Sequence, residues 1–91
     1  RFMENDLIQS ISFIKNSKYR KDVLSALENK ELLTPKEISE IVSLRLNHVS
    51  MTLGELKNKK LAKCINEDSK RGRLYQIADL GKKTLKWLKE Q

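Results

Sequence analysis

Lys70, Arg71 and Arg73 surround Gly72 in a short polar run, and Lys57, Lys59, Lys60 and Lys63 precede them closely. Adjacent cations of this kind neutralise phosphates and release counterions, which is chemistry suited to a polyanion. Their placement is not general. Residues 57–91 hold eleven Lys/Arg and four Asp/Glu, whereas residues 1–56 hold eight of each. The whole formal excess of +7 therefore lies in the C-terminal 35 residues, a neutral body with one basic end. Charge alone fits solvated surface lysines equally well.

Other chemistry is poorly supplied. His48 is the only histidine and Cys64 the only cysteine, so neither an internal disulfide nor a four-ligand Cys/His zinc site can form within the chain. No nucleophile–base–orienter set and no phosphate-cradling glycine loop is present, so neither an enzyme nor a cofactor is expected. One Trp, two Tyr and two Phe are too few for a protein that stacks single-stranded bases. No apolar run approaches the roughly 20 residues that cross a membrane, and no signal-peptide pattern is visible. With a lone cysteine, this gives the expectation of a cytoplasmic protein and no membrane partner.

The elements that must position the cations follow from period and caps. Met3, Leu7, Ile11 and Ile14 predict a helix over 3–16. Ser17 caps a second over 18–29, with Tyr19, Val23, Leu24 and Leu27 on its apolar stripe. Thr34-Pro35-Lys36-Glu37 reads as a capping box with proline at the first helical position. Ile38, Ile41 and Val42 give this third helix its buried face, and a turn at Ser43-Leu44 follows. Val49, Leu53 and Leu56 mark a fourth helix over 46–59. The period then changes. Leu61–Ile65 and Arg73–Ile77 predict two strands, in which Leu61 alternates with Lys63 and Ile65, and Leu74 with Gln76; a polar turn of residues 66–72 joins them as a hairpin. Leu80, Leu85 and Leu88 close the chain with a helix over 79–90. The expectation is one mainly α domain with a small β-hairpin (α+β) over residues 1–91: a helix-turn-helix at about 34–59 and a wing at about 61–77.

Residues 34–88, TPKEISEIVSLRLNHVSMTLGELKNKKLAKCINEDSKRGRLYQIADLGKKTLKWL, with SKYRKDVLSAL upstream, resemble archaeal winged helix-turn-helix regulators of the broad MarR/ArsR-like type. The resemblance covers roughly residues 17–88. It implies a homodimeric transcription regulator of double-stranded DNA. There are departures. Ser43 stands where the turn usually carries glycine, Arg45 where a serine cap is common, Met51 where arginine is frequent, and Ala78 where a serine or threonine often opens the last helix.

A helix in the major groove presents its first turns to base edges. With Val49, Leu53 and Leu56 turned inward, Asn47, His48, Met51 and Thr52 face out, with Ser50 at the edge. Asn47 can pair with adenine, His48 or Thr52 can donate or accept, and Met51 can meet a thymine methyl. Lys70, Arg71 and Arg73 on the wing, with Lys63 on its first strand, suit the backbone or a narrow minor groove. Lys36 and Arg45 are candidate phosphate clamps. Lys57, Lys59 and Lys60 could equally serve the helix dipole. The terminal helices, with Phe2, Ile8, Phe13 and Trp87, are expected to supply a dimer interface. The competing functions are a protein-interaction winged helix without sequence-specific DNA binding, favoured by Met51, and RNA binding through the same basic surface.

Overall fold

A computed structural model of the chain describes residues 2–90, with side chains from Asn5 onward, so the expectations for the side chains of Phe2 and Met3 lie outside what is described. The elements run α1 (Phe2–Lys15), α2 (Lys18–Asn29), α3 (Pro35–Val42), α4 (Leu46–Asn58), β1 (Ala62–Cys64), β2 (Tyr75–Ile77) and α5 (Asp79–Lys89). This is the predicted order, five helices with a two-stranded hairpin before the last.

The local causes are those the sequence advertises. The Ser17 hydroxyl accepts from the Arg20 amide at 3.4 Å at the start of α2. At α3 the capping box is complete: the Thr34 hydroxyl accepts from the Glu37 amide at 3.2 Å, and the Glu37 carboxylate accepts from the Thr34 amide at 2.9 Å. Ser43 ends α3 in the left-handed region at φ 58°, where glycine is the usual residue. At the end of α4, the Leu61 amide donates to the Leu56 carbonyl at 2.9 Å and the Lys60 amide to that of Lys57 at 3.0 Å. This is a Schellman pair, with Lys60 at φ 63° in the glycine position.

Helix α2 lies at the centre. It packs on α1, α3, α4, α5 and β2, and buries Val23, Leu24, Ala26 and Leu27. Ile14 from α1, Ile38 from α3, Val49, Leu53 and Leu56 from α4, Tyr75 and Ile77 from β2 and Leu85 from α5 complete the core. α1 lies along α5. Gly81 lets α5 close onto the hairpin, because a Cβ there would lie 2.3 Å from the Leu61 carbonyl oxygen.

Several expectations change. Ile41 is half exposed rather than buried, so α3 holds the core chiefly through Ile38. Tyr19 leaves the α2 stripe and lies exposed at the helix start. The strands are shorter than predicted, pairing antiparallel as Ala62 with Ile77, Lys63 with Gln76 and Cys64 with Tyr75. Their inner face is Ala62, Tyr75 and Ile77, while Ile65 is exposed. Leu61 is buried as well, because it closes the Schellman turn before β1 begins. Leu33, in the loop before α3, exchanges both backbone hydrogen bonds with Tyr75, at 3.1 and 2.8 Å. No periodicity announced this bridge.

Candidate nucleic-acid interface

α4 has two contrasting polar faces. Residues at steps of three and four share a face of a helix. His48, Thr52 and Glu55 form one such row, and the start of α2 lies along it. Tyr19 stacks on His48 with ring centroids 4.3 Å apart and planes inclined by 56°. The Arg20 guanidinium reaches both Glu55 carboxylate oxygens, at 3.3 and 3.4 Å, donates to the Phe13 carbonyl at 3.1 Å, and sits 3.8 Å from the centre of the Phe13 ring. Lys59, 5.4 Å from that ring centre, lies near the same cluster.

This packing corrects one expectation. Thr52 does not face outward: it is 2% exposed, and its hydroxyl donates to the His48 carbonyl at 2.9 Å. His48 is half buried at the margin, with the tilted Tyr19 ring against it. The open row is Asn47, Ser50, Met51 and Gly54, all exposed, with Met51 at 62%. The Asn47 side-chain oxygen accepts from the His48 amide at 2.9 Å, so bidentate pairing with a base requires that bond to open. Arg45 precedes α4 as an exposed N-cap without a side-chain capping bond.

Across from the open row stands the wing. Asn66 organises it: its amide nitrogen donates to the Gly72 carbonyl at 3.2 Å, and its oxygen accepts from the Leu74 amide at 2.7 Å. Gly72 makes the turn at φ 65°, a conformation that side chains disfavour. Ser69 donates to the Arg71 carbonyl, and Arg73 Nε donates to the Ser69 carbonyl at 2.9 Å. At the wing's root Glu67 is ion-paired with Lys57 of α4. The hydrogen bond between them, with the Lys57 charge, holds the Glu67 carboxyl below its ordinary value. The same bond holds the Lys57 ammonium above its own.

Between α4 and the wing lies an open cleft of about 710 Å³. Lys36, Lys57, Lys70, Arg71 and Arg73 line it, with Thr34, Pro35, Leu46, Ser50, Gly54, Gly72 and Tyr75, and among the described residues no carboxylate lines it. The fold thus gathers the expected Lys36, Ser50, Lys70, Arg71 and Arg73 around one cleft. Lys63 stands apart, in a separate recess of about 330 Å³ with Lys60, Cys64 and Glu67. Arg45, Asn47, His48 and Met51 lie along the start of α4 outside the cleft lining. Sequence reasoning missed Tyr19 and Gly54; only the alignment of α2 with α4 reveals the first. Among the described residues no cluster of metal ligands exists, and no helix is long and apolar enough to cross a membrane.

No family model and no curated protein matches the chain. Solved structures do. TubR bound to 24 bp of tubC, from Bacillus thuringiensis serovar israelensis, superposes with a TM-score of 0.77 at 22% identity, over 92% of each chain. A MarR family transcriptional regulator from Silicibacter pomeroyi gives 0.76 at 21% identity, over 98% of this chain and 58% of that one. A mutant MarR from E. coli complexed with operator DNA gives 0.75 at 20% identity, over 97% of this chain and 64% of that one. The chain thus spans about two thirds or less of the two MarR-type proteins. These likenesses show that residues 2–90 adopt the winged helix-turn-helix fold of MarR-type proteins.

Proposed function

We propose that the chain binds double-stranded DNA and regulates transcription, with α4 in the major groove and the wing on the backbone or in the adjacent minor groove. The carrying observation is the cleft between α4 and the wing, which, among the described residues, five cations line without a carboxylate. Each phosphate neutralised there adds close to one log unit to the dependence of affinity on salt. Two of the similar structures hold duplex DNA, and the block's resemblance to archaeal regulators of this type points the same way. Asn47, Ser50 and Met51 form the surface for base edges. His48 contributes from its margin, Arg45 and Lys36 hold phosphates at the helix starts, and Lys63 meets more distant backbone.

The 91 residues act as one unit, and two copies pair through α1 and α5. These helices pack on each other yet leave Ile8 63% and Trp87 38% exposed. Pairing covers them and sets two recognition helices about 34–36 Å apart. A cytoplasmic setting follows from this reading.

Selection of bound duplexes from a random pool, followed by a salt titration, tests the proposal. The expected result is an enriched palindrome whose affinity falls steeply with salt. A protein-interaction winged helix is the second reading, favoured by the exposed Leu46 and Met51 at the start of α4. That reading is favoured over the first if neither a duplex nor an RNA of equal length binds even at low salt.

A further inference from the structure

The chain has three glycines, and its own packing accounts for two. Gly72 turns the wing at positive φ, and Gly81 admits the Leu61 carbonyl. Gly54 has neither reason. It sits inside α4 with ordinary helical backbone, and a Cβ built on it meets nothing within 4 Å. Glycine is the poorest helix former after proline, so its presence there weakens α4 with no return inside the molecule.

Its position supplies one. Gly54 lies on the exposed row of α4, one turn beyond Ser50, and both line the cleft that Lys70, Arg71 and Arg73 also line. We infer that Gly54 is a contact position: its missing side chain lets one sugar-phosphate strand of the bound duplex lie against the α4 backbone while the wing cations hold that strand. A glycine is the residue that lets a backbone approach a ligand closely. The inference rests on the DNA-binding reading and specifies which part of the duplex meets the helix.

Gly54→Ala and Gly54→Leu in the full chain test it, through thermal unfolding and through binding of one selected and one unrelated duplex across a salt series. Both residues favour helix, so both variants should unfold at higher temperature, by roughly 4–8 °C. Duplex affinity should fall nonetheless, by about tenfold for alanine and about a hundredfold for leucine, on both duplexes. The leucine variant should also show a shallower salt slope, because the strand is pushed off the wing. Gain of stability makes misfolding no explanation for lost binding. Variants that bind both duplexes as tightly as the original chain overturn the inference and leave the DNA reading standing. Loss confined to the selected duplex, with an unchanged salt slope, overturns it in favour of a base contact. Variants that unfold at lower temperature overturn its premise. If the original chain binds neither duplex, the DNA reading and the inference fall together.

Discussion

Helix α4 and the wing are held in opposite ways. α4 is fixed by the core: Val49, Leu53 and Leu56 are fully buried, and Arg20 and Tyr19 grip its polar flank from α2. Its open row is nonetheless poor in charge, offering Asn47, Ser50, Met51 and Gly54. The tip of the wing, residues 66–73, has no buried side chain. Polar bonds through Asn66, Ser69 and Arg73 fix its shape, and it carries three closely spaced cations. Rigidity and charge are thus divided between the two halves of the candidate interface. On the proposed DNA-binding reading, charge-driven attraction to any duplex resides in the wing and preference among sequences in the first turns of the helix, so the two should be separable by mutation.

The strongest way to break this division is to remove the wing's charge. Lys70→Ala, Arg71→Ala and Arg73→Ala combined should lower duplex affinity by about a hundredfold or more at low salt and flatten the salt slope by about two to three units. Equal affinity across a salt titration would remove the wing from the interface. Shape is tested next. Asn66→Ala leaves charge untouched but takes a partner from the Leu74 amide and the Gly72 carbonyl. Stability should drop by about 1–2 kcal/mol in denaturant unfolding, and amide exchange in residues 66–74 should quicken. Duplex affinity should fall about tenfold with the salt slope nearly kept, since pre-organisation rather than charge is lost.

Glu67 supplies a subtler test, because it opposes the wing's charge while bracing its root. Glu67→Gln should raise duplex affinity by a factor of about two to five and steepen the salt slope by up to one unit, as Lys57 becomes available to phosphate. The ion pair also sets a pH window. With the Glu67 carboxyl held below its ordinary value of 4.5, its contribution is complete above that value and is lost as pH falls through the lower folded one. With the Lys57 ammonium held above its ordinary value of 10.5, its contribution is complete below that value and is lost as pH rises through the higher folded one. Both groups are solvent-exposed, so a thermal-unfolding profile of Glu67→Gln against the original chain should differ only slightly, and the difference should close at low pH. The smallest expected effect sharpens the helix side. Lys60→Gly relieves the left-handed residue at the end of α4 and should stabilise the chain by up to about 1 kcal/mol without changing duplex preference.

Element order and most boundaries were legible because caps and periods are local signals. Thr34-Pro35-Lys36-Glu37 forms the capping box it spells, and Ser17 caps α2 as expected. The helix faces were less legible. The outward placement of Thr52 and the inward placement of Tyr19 failed for one reason: α2 lies along the His48–Thr52–Glu55 row, and no pattern within either helix announces its neighbour. Ile41 failed likewise, since one buried isoleucine suffices to seat so short a helix as α3. The strands were read too long because each is only three residues, too few for alternation to mark its ends. The cations of the interface were legible as a list. That Lys36 joins the wing while Lys63 lies in another recess depends on how the hairpin folds back over α4.

The paired backbone bonds between Leu33 and Tyr75 have a consequence for how DNA would be measured. They tie the loop that enters the helix-turn-helix to the second strand of the wing. α4 and the wing are therefore set at a fixed gauge, like the jaws of a locked caliper. On the DNA-binding reading, a duplex whose groove spacing departs from that gauge must itself bend or twist, and the energy of doing so depends on its sequence. Discrimination can then arise at base pairs that no side chain touches.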